Sequence, residues 1–197
     1  MAPGASPFRG IGAIYRGLAE FIEGNVRGGM GRVLSEIRDP ALTSFLGQRF
    51  AFSSWYDVMP VPYLGVAVAR ARGVSFEQQI ADSNRWSEER TGAIYRALLA
   101  MMTTERVATT LPKAVAIVHD FGRVTCRVLG PQRVAGVRQG IPRPLVRWLA
   151  LSHSTYLELA LRRAGASSVR VHFGPPERDG EISGAELYRI PFEIQWA

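Results

Sequence analysis

The stretch Pro142–Gly165, PRPLVRWLALSHSTYLELALRRAG, is the longest unbroken helical pattern in a chain of 197 residues. Val146, Leu149, His153, Leu157, Ala160 and Ala164 recur every three or four positions and so share one helical face. Arg147, Ser154, Glu158 and Arg162 fall on a polar face, with Glu158 four residues before Arg162 in the favourable order. From Leu145 to Leu151 the pattern is apolar almost all round, which predicts burial on more than one side. Two-residue alternation brackets this helix. Arg123–Leu129 sets Val124, Cys126 and Val128 against Arg123, Thr125 and Arg127, and Arg133–Gln139 returns after the turn Gly130-Pro131-Gln132. Beyond the helix, Val169, Val171 and Phe173 alternate with Ser168, Arg170 and His172. Tyr188, Ile190, Phe192, Ile194 and Trp196 later alternate with Arg189, Glu193 and Gln195. The Pro- and Gly-rich segment Gly174–Gly184 reads as a loop. Four strands with one apolar and one polar face predict an α+β fold, a helical layer packed on one face of a four-stranded antiparallel sheet.

Upstream the pattern is helical. Residues 1–9, MAPGASPFR, read as a disordered leader, and residues 10–197 as a single domain. Ile11, Ile14, Leu18 and Ile22 mark an amphipathic helix, and Met30, Val33, Leu34 and Ile37 a second. Asp39 as N-cap and Pro40 at the first helical position open a third, through Leu46. The segment QRFAFSSWYDVM (48–59) reads as a buried connector into a helix from Pro60 to Arg72. Ser75 with Gln78 makes a capping box for a helix that starts at Phe76 and passes Trp86. Further helices are predicted from Thr91, carrying Ile94, Leu98, Met101 and Met102, and from Glu105 to Phe121, divided or kinked at Pro112.

The formal net charge is +7, yet 23 of the 24 basic residues are arginine, with Lys113 the exception. They are scattered, with no run that would make a nucleic-acid-binding arm, so nucleic acid is not an expected partner. A single cysteine, Cys126, precludes an intramolecular disulfide. Val58–Ala69, the longest uncharged apolar run, has about 12 residues and contains Pro60 and Pro62, too short to span a bilayer. A cytoplasmic protein with no membrane span is expected.

No GxGxxG, P-loop, G-x-S-x-G or HExxH pattern occurs, and no residue set assembles a catalytic or metal site. The chain therefore reads as non-enzymatic, with no metal and no cofactor. His153 interrupts the apolar stripe of the long helix, His119-Asp120 sits at a helix-to-strand junction and reads as structural, and His172 falls on the polar strand face. Trp55, Tyr56, Trp86, Tyr95, Met101, Met102, His153 and Tyr156 either line an apolar ligand pocket or simply fill the core. Arg123, Arg127, Arg170, His172 and Arg189 form a basic plate on the polar sheet face, either solvated or a partner surface.

The segments SSWYDVMPVPYLGVAVARARGVSFEQQIADSNRW and LPKAVAIVHDFGRVTCRVLG, with the closing strand before QWA, resemble a family of roughly 200-residue bacterial domains abundant in myxobacteria. That family is similar to the superfamily of haem nitric-oxide-binding domains, four-vinyl-reductase domains and TRAPP subunits. The resemblance covers nearly the whole chain after Phe8. It implies a TRAPP-like or haem-NO-binding-like arrangement of helices on an antiparallel sheet, an apolar pocket and a regulatory role. The haem branch carries a Tyr-x-Ser-x-Arg clamp and a proximal histidine. None of the six tyrosines here has serine two residues later, so no haem is expected. The expected function is a cytoplasmic signalling domain that binds a small hydrophobic ligand, a protein partner or both. The alternative is a TRAPP-like assembly or adaptor subunit without ligand. A homodimer is expected, with Ile11, Ile14, Leu18 and Ile22 as its contact.

Overall fold

The computed structural model describes residues 1–90 and 101–197, and the chain gathers into two compact units, Met1–Ser87 and Glu88–Ala197. The helix expected from Thr91, with Ile94 and Leu98, falls largely outside the described residues.

In the first unit, β1 (Arg9–Ile11) pairs antiparallel with β2 (Trp55–Asp57). The helices are α1 (Ala13–Asn25), α2 (Gly29–Leu34), α3 (Pro40–Leu46), α4 (Val61–Arg72) and α5 (Phe76–Arg90). Their starts follow the sequence signals. Asp39 Oδ1 accepts from the N–H groups of Ala41 and Leu42 at 2.9 and 3.3 Å, capping α3 with Pro40 at its first position. The Gln78 N–H donates to Ser75 Oγ at 3.1 Å ahead of α5. Gly65 on α4 admits the Phe76 ring of α5, since a Cβ there would lie 2.9 Å from it. Tyr15, Ile22, Val58, Leu64 and Val68 fill the interior. Ile22, expected at a dimer contact, is thus already buried inside this unit.

The N-terminal residues are not a loose leader. Asp57, itself buried, needs donors for its carboxylate, and it draws two of them from the chain's start. Its Oδ2 accepts from Gly4 and Ser6 N–H at 2.9 and 3.3 Å, and its Oδ1 from Met59 N–H at 2.9 Å. Phe8 is only 3% exposed. The Tyr15 hydroxyl donates to the Asp57 carbonyl at 2.5 Å, and burial, with Asp57 beside it, pushes that phenol's pKa upward. The expected buried connector at 48–59 also differs: Phe50 and Tyr56 turn inward onto Tyr15, while Phe52 and Trp55 are exposed and the segment ends as β2.

In the second unit, α6 (Thr104–Ala116) precedes β3 (Arg123–Gly130) and β4 (Arg133–Pro142). After a single 3-10 turn at Arg143–Leu145 come α7 (Val146–Arg163), β5 (Val169–Phe173), β6 (Glu177–Ile182) and β7 (Ala185–Trp196). α6 runs through Pro112 undivided. The sheet is antiparallel, in the order β3-β4-β7-β5, with β6 paired to the first half of β7. It has five strands, not the expected four. The extra strand lies in the expected loop; its sequence ERDGEI has no apolar phase to betray it, and Ser183 and Gly184, both at positive φ, turn it into β7. Val107 and Leu111 of α6, Leu157 and Leu161 of α7, and Phe192 and Ile194 of β7 meet in one core on the inner sheet face.

Asp57→Ala removes the acceptor of three backbone N–H groups. The expected loss is about 2–4 kcal/mol of unfolding free energy, measured in urea, with faster amide exchange at residues 4–8. Unchanged exchange there would show that the carboxylate does not hold the N-terminal segment.

Candidate functional site

Strand β4 alternates as its sequence requires, Val134 and Arg138 inward, Ala135 and Val137 outward. Arg138 is therefore an arginine in the apolar phase of a strand. It is 2% exposed and is flanked across the sheet by Val124 of β3 and Ile190 of β7. Immediately after it the β4–β7 register shifts, and Gly140, at φ +68°, turns its N–H to Asp179 Oδ2 at 2.9 Å. The bulge fixes where the strand stops and so where the guanidinium lies.

Two histidines from different elements meet that guanidinium. His153, on the buried face of α7, has both ring nitrogens 3.0–3.1 Å from Arg138 Nη1, so that whichever nitrogen is unprotonated accepts its N–H. His119, just beyond α6, places Nδ1 3.4 Å from Nη2. Phe121 and Trp148 pack edge-on against the His119 ring. Arg138 Nε has no hydrogen-bond partner among the described residues, and no carboxylate accompanies the charge there. Burial pushes Arg138 down to about 10, which leaves it cationic at neutral pH. Burial foremost, then Arg138 and His119, holds His153 well below the ordinary imidazole range, so this ring is neutral. The result is a fixed positive charge in an apolar interior, held by imidazole nitrogens and open to an anion in its chemistry.

The sequence candidates are placed as follows. Trp55, Tyr56 and Trp86 belong to the first unit, where Tyr56 packs on Tyr15 and Phe50, and Trp86 on Phe21. Tyr95 lies outside the described residues. In the second unit Met102 and Tyr156 pack against the core, Met101 is 75% exposed, and His153 joins the arginine cluster. Arg138 was not among the sequence candidates, and His119 had been read as structural. The missed signal is the phase of β4: in Val134-Ala135-Gly136-Val137-Arg138 the arginine is in step with the valine that faces the core. Gly136 in that run lies under Phe192, whose ring a Cβ would approach to 2.3 Å. Arg123, Arg127, Arg170, His172 and Arg189 do share the outer sheet face. Cys126 is half-buried, and burial raises its thiol pKa, which suits an inert side chain. Among the described residues no helix is long and apolar enough to cross a membrane.

No protein-family model matches the chain, and no curated protein matches it. Solved structures do. An Fe(II) unliganded H-NOX protein from K. algicida superposes with a TM-score of 0.61 at 11% identity, over 95% of this chain and 96% of that one. An oxygen-binding H-NOX domain related to soluble guanylate cyclases gives 0.59 at 10% identity, over 94% and 92%. A structure from work probing heme distortion in the H-NOX family gives 0.58 at 10%, also over 94% and 92%. The chain has an H-NOX-like α+β fold.

This corrects the expectation of no haem. It rested on the missing tyrosine and serine of the clamp, but the chain shares nearly its whole length in fold with proteins named for haem chemistry.

A neutral His153 has a consequence for acid stability. Its pKa is depressed on folding, so its contribution is complete above the unfolded value near 6.5 and is lost as pH falls below it. Unfolding free energy from urea melts is expected to drop by about 1.4 kcal/mol per pH unit from this group below pH 6. His153→Gln, which retains an acceptor for Arg138, is expected to flatten that slope; an identical slope in the variant would contradict a neutral buried His153.

Proposed function

We propose that this chain is a regulatory ligand-binding domain whose ligand is largely apolar and carries an acidic group received by Arg138. One observation carries the reading: a buried guanidinium with no acid beside it among the described residues. Removing a charge from water costs several kcal/mol, and an interior arginine is ordinarily matched by a carboxylate. Here His153 and His119 satisfy Arg138 in part, and Nε is left without an acceptor among the described residues. A carboxylate offers the planar pair of acceptors that a guanidinium fits best.

Haem, an apolar ring bearing two carboxylates, has this chemistry, and the H-NOX structures similar to this chain include an oxygen-binding domain and one examined for heme distortion. The residues present fit it at the acidic end through Arg138. When bound, haem would supply an iron able to take a diatomic gas. What the chain itself contributes is the positive charge, the imidazoles that orient it, and the edge-on packing of Trp148 and Phe121 against His119. An apolar carboxylic acid without metal, such as a long-chain fatty acid, suits the same charge. A purely structural role for Arg138 is the opposing reading, and it goes with an adaptor that binds no ligand.

The test is a thermal-shift titration with haemin and, separately, with palmitate, on the native protein and on Arg138→Met. Saturation at 100 times the dissociation constant is expected to stabilise the native protein by about 2.7 kcal/mol, and the shift is expected to vanish in the variant. Palmitic alcohol in place of palmitate is expected to give little. A shift that survives Arg138→Met, or no shift from either acid, would overturn the proposal.

A further inference from the structure

The outer face of the five-stranded sheet is a second feature, separate from the ligand reading. Across it run the rows Arg127–Ala135–Glu193–His172 and Thr125–Val137–Pro191, with Arg123 beside Gln139 and Arg170 beside Gln195. The middle of this face sinks into a groove of about 450 Å³ floored by Ala135, Val137 and Pro191, with Arg127 and His172 at its two sides. Small and apolar residues form the floor, and Arg127, His172 and Glu193 stand at the rim.

Charge on this face is not balanced among the described residues. Glu193 is engaged by Arg133, whose Nε and Nη2 donate to it at 2.7 and 3.0 Å, and it also accepts from Gln195 at 2.5 Å. Glu177 is engaged by Arg189 at 2.8 and 2.5 Å. Both acids of the face thus have their own arginine, whereas Arg123, Arg127 and Arg170 are exposed and form no ion pair among the described residues. β3, which carries two of the three, is also the last strand on its side of the sheet, paired only with β4 among the described residues. Its end exposes Val128 and Leu129, 49% and 41% accessible.

We propose that this outer face docks an extended acidic segment of a partner protein, its carboxylates on Arg123, Arg127 and Arg170 and its small apolar side chains on the groove floor. Arg123 and Arg127 are four residues apart on one strand face, so they meet acids at every fourth position of a parallel-running extended chain. The floor rewards apolar residues between those acids. A nucleic acid would share the charge but finds no aromatic platform on this face for its bases.

The experiment is fluorescence anisotropy of a fluorescein-labelled peptide that repeats Glu-Ser-Val-Ser, which puts glutamate at every fourth position and valine between on the same face, titrated with the native protein. The double variant Arg123→Gln/Arg127→Gln is compared with Arg32→Gln, an exposed arginine of α2 that removes charge elsewhere. Circular dichroism verifies that each variant is folded. Expected are saturable binding that weakens as salt rises, a loss of about tenfold or more in affinity in the double variant, and no change in Arg32→Gln. Absence of binding at millimolar peptide would overturn the proposal, as would equal affinity in the double variant. Tighter binding of single-stranded DNA of the same charge would overturn it in favour of a nucleic-acid surface. The peptide result is independent of Arg138, so it fails or succeeds apart from the ligand reading.

Discussion

The second unit turns on one electrostatic constraint, a guanidinium enclosed among apolar side chains with no acid among the described residues to neutralise it. Arg138 sits in a row between Val124 and Ile190, beneath α7, and any arrangement that buried it without acceptors would not persist. Two acceptors come from opposite directions: His153 from the middle of α7 and His119 from the segment leading into β3. α7 must therefore hold the rotation that points position 153 at the sheet, and the chain after α6 must return close to β4. The bulge at Gly140 ends the regular pairing directly after Arg138, tied down by Asp179 from β6. Strand, helix, connector and hairpin are thus each held in place around one charge.

Asp57 does the equivalent work in the first unit with the opposite sign. A buried carboxylate gathers N–H groups from residues 4, 6 and 59, and its own carbonyl takes the Tyr15 hydroxyl. The difference between the two centres is informative. Asp57 is surrounded by donors and is structurally complete, whereas Arg138, among the described residues, has only imidazole partners and an idle Nε. Completeness is what a folding anchor needs; incompleteness is what a recognition site retains until its ligand arrives.

Local signals carried most of the fold. α3 and α5 begin at their caps, α7 follows its apolar stripe, and β3, β4, β5 and β7 follow alternation, because each of these is dictated by neighbours a few residues away. β1 and β6 were not legible. β1 has three residues and exists through pairing with β2, more than forty positions away, and β6 has Ile182 as its single apolar residue, so neither shows the alternation that marks the other strands. The N-terminal segment was misjudged for the same reason: Gly4 and Ser6 are ordered by a carboxylate more than fifty positions away. His153 was legible as an oddity in an apolar stripe, but its meaning depends on Arg138 and His119, which only the tertiary fold brings to it. The outer basic face was legible, since alternation alone puts Arg123, Arg127 and Arg170 on the side away from the core. That Arg189 and Arg133 are already satisfied by Glu177 and Glu193 depends on strand register, which no single segment reveals.

If Arg138 is kept for recognition, the folded chain bears its burial as a net cost in the absence of ligand. The direct measurement is the unfolding free energy of ligand-free protein, native against Arg138→Met, by urea denaturation at pH 7.5. Methionine fills similar volume and removes the buried charge, so the expected result is equal stability or a gain of about 1–4 kcal/mol. A loss of about 3 kcal/mol or more would contradict the account and make Arg138 a structural element of the core.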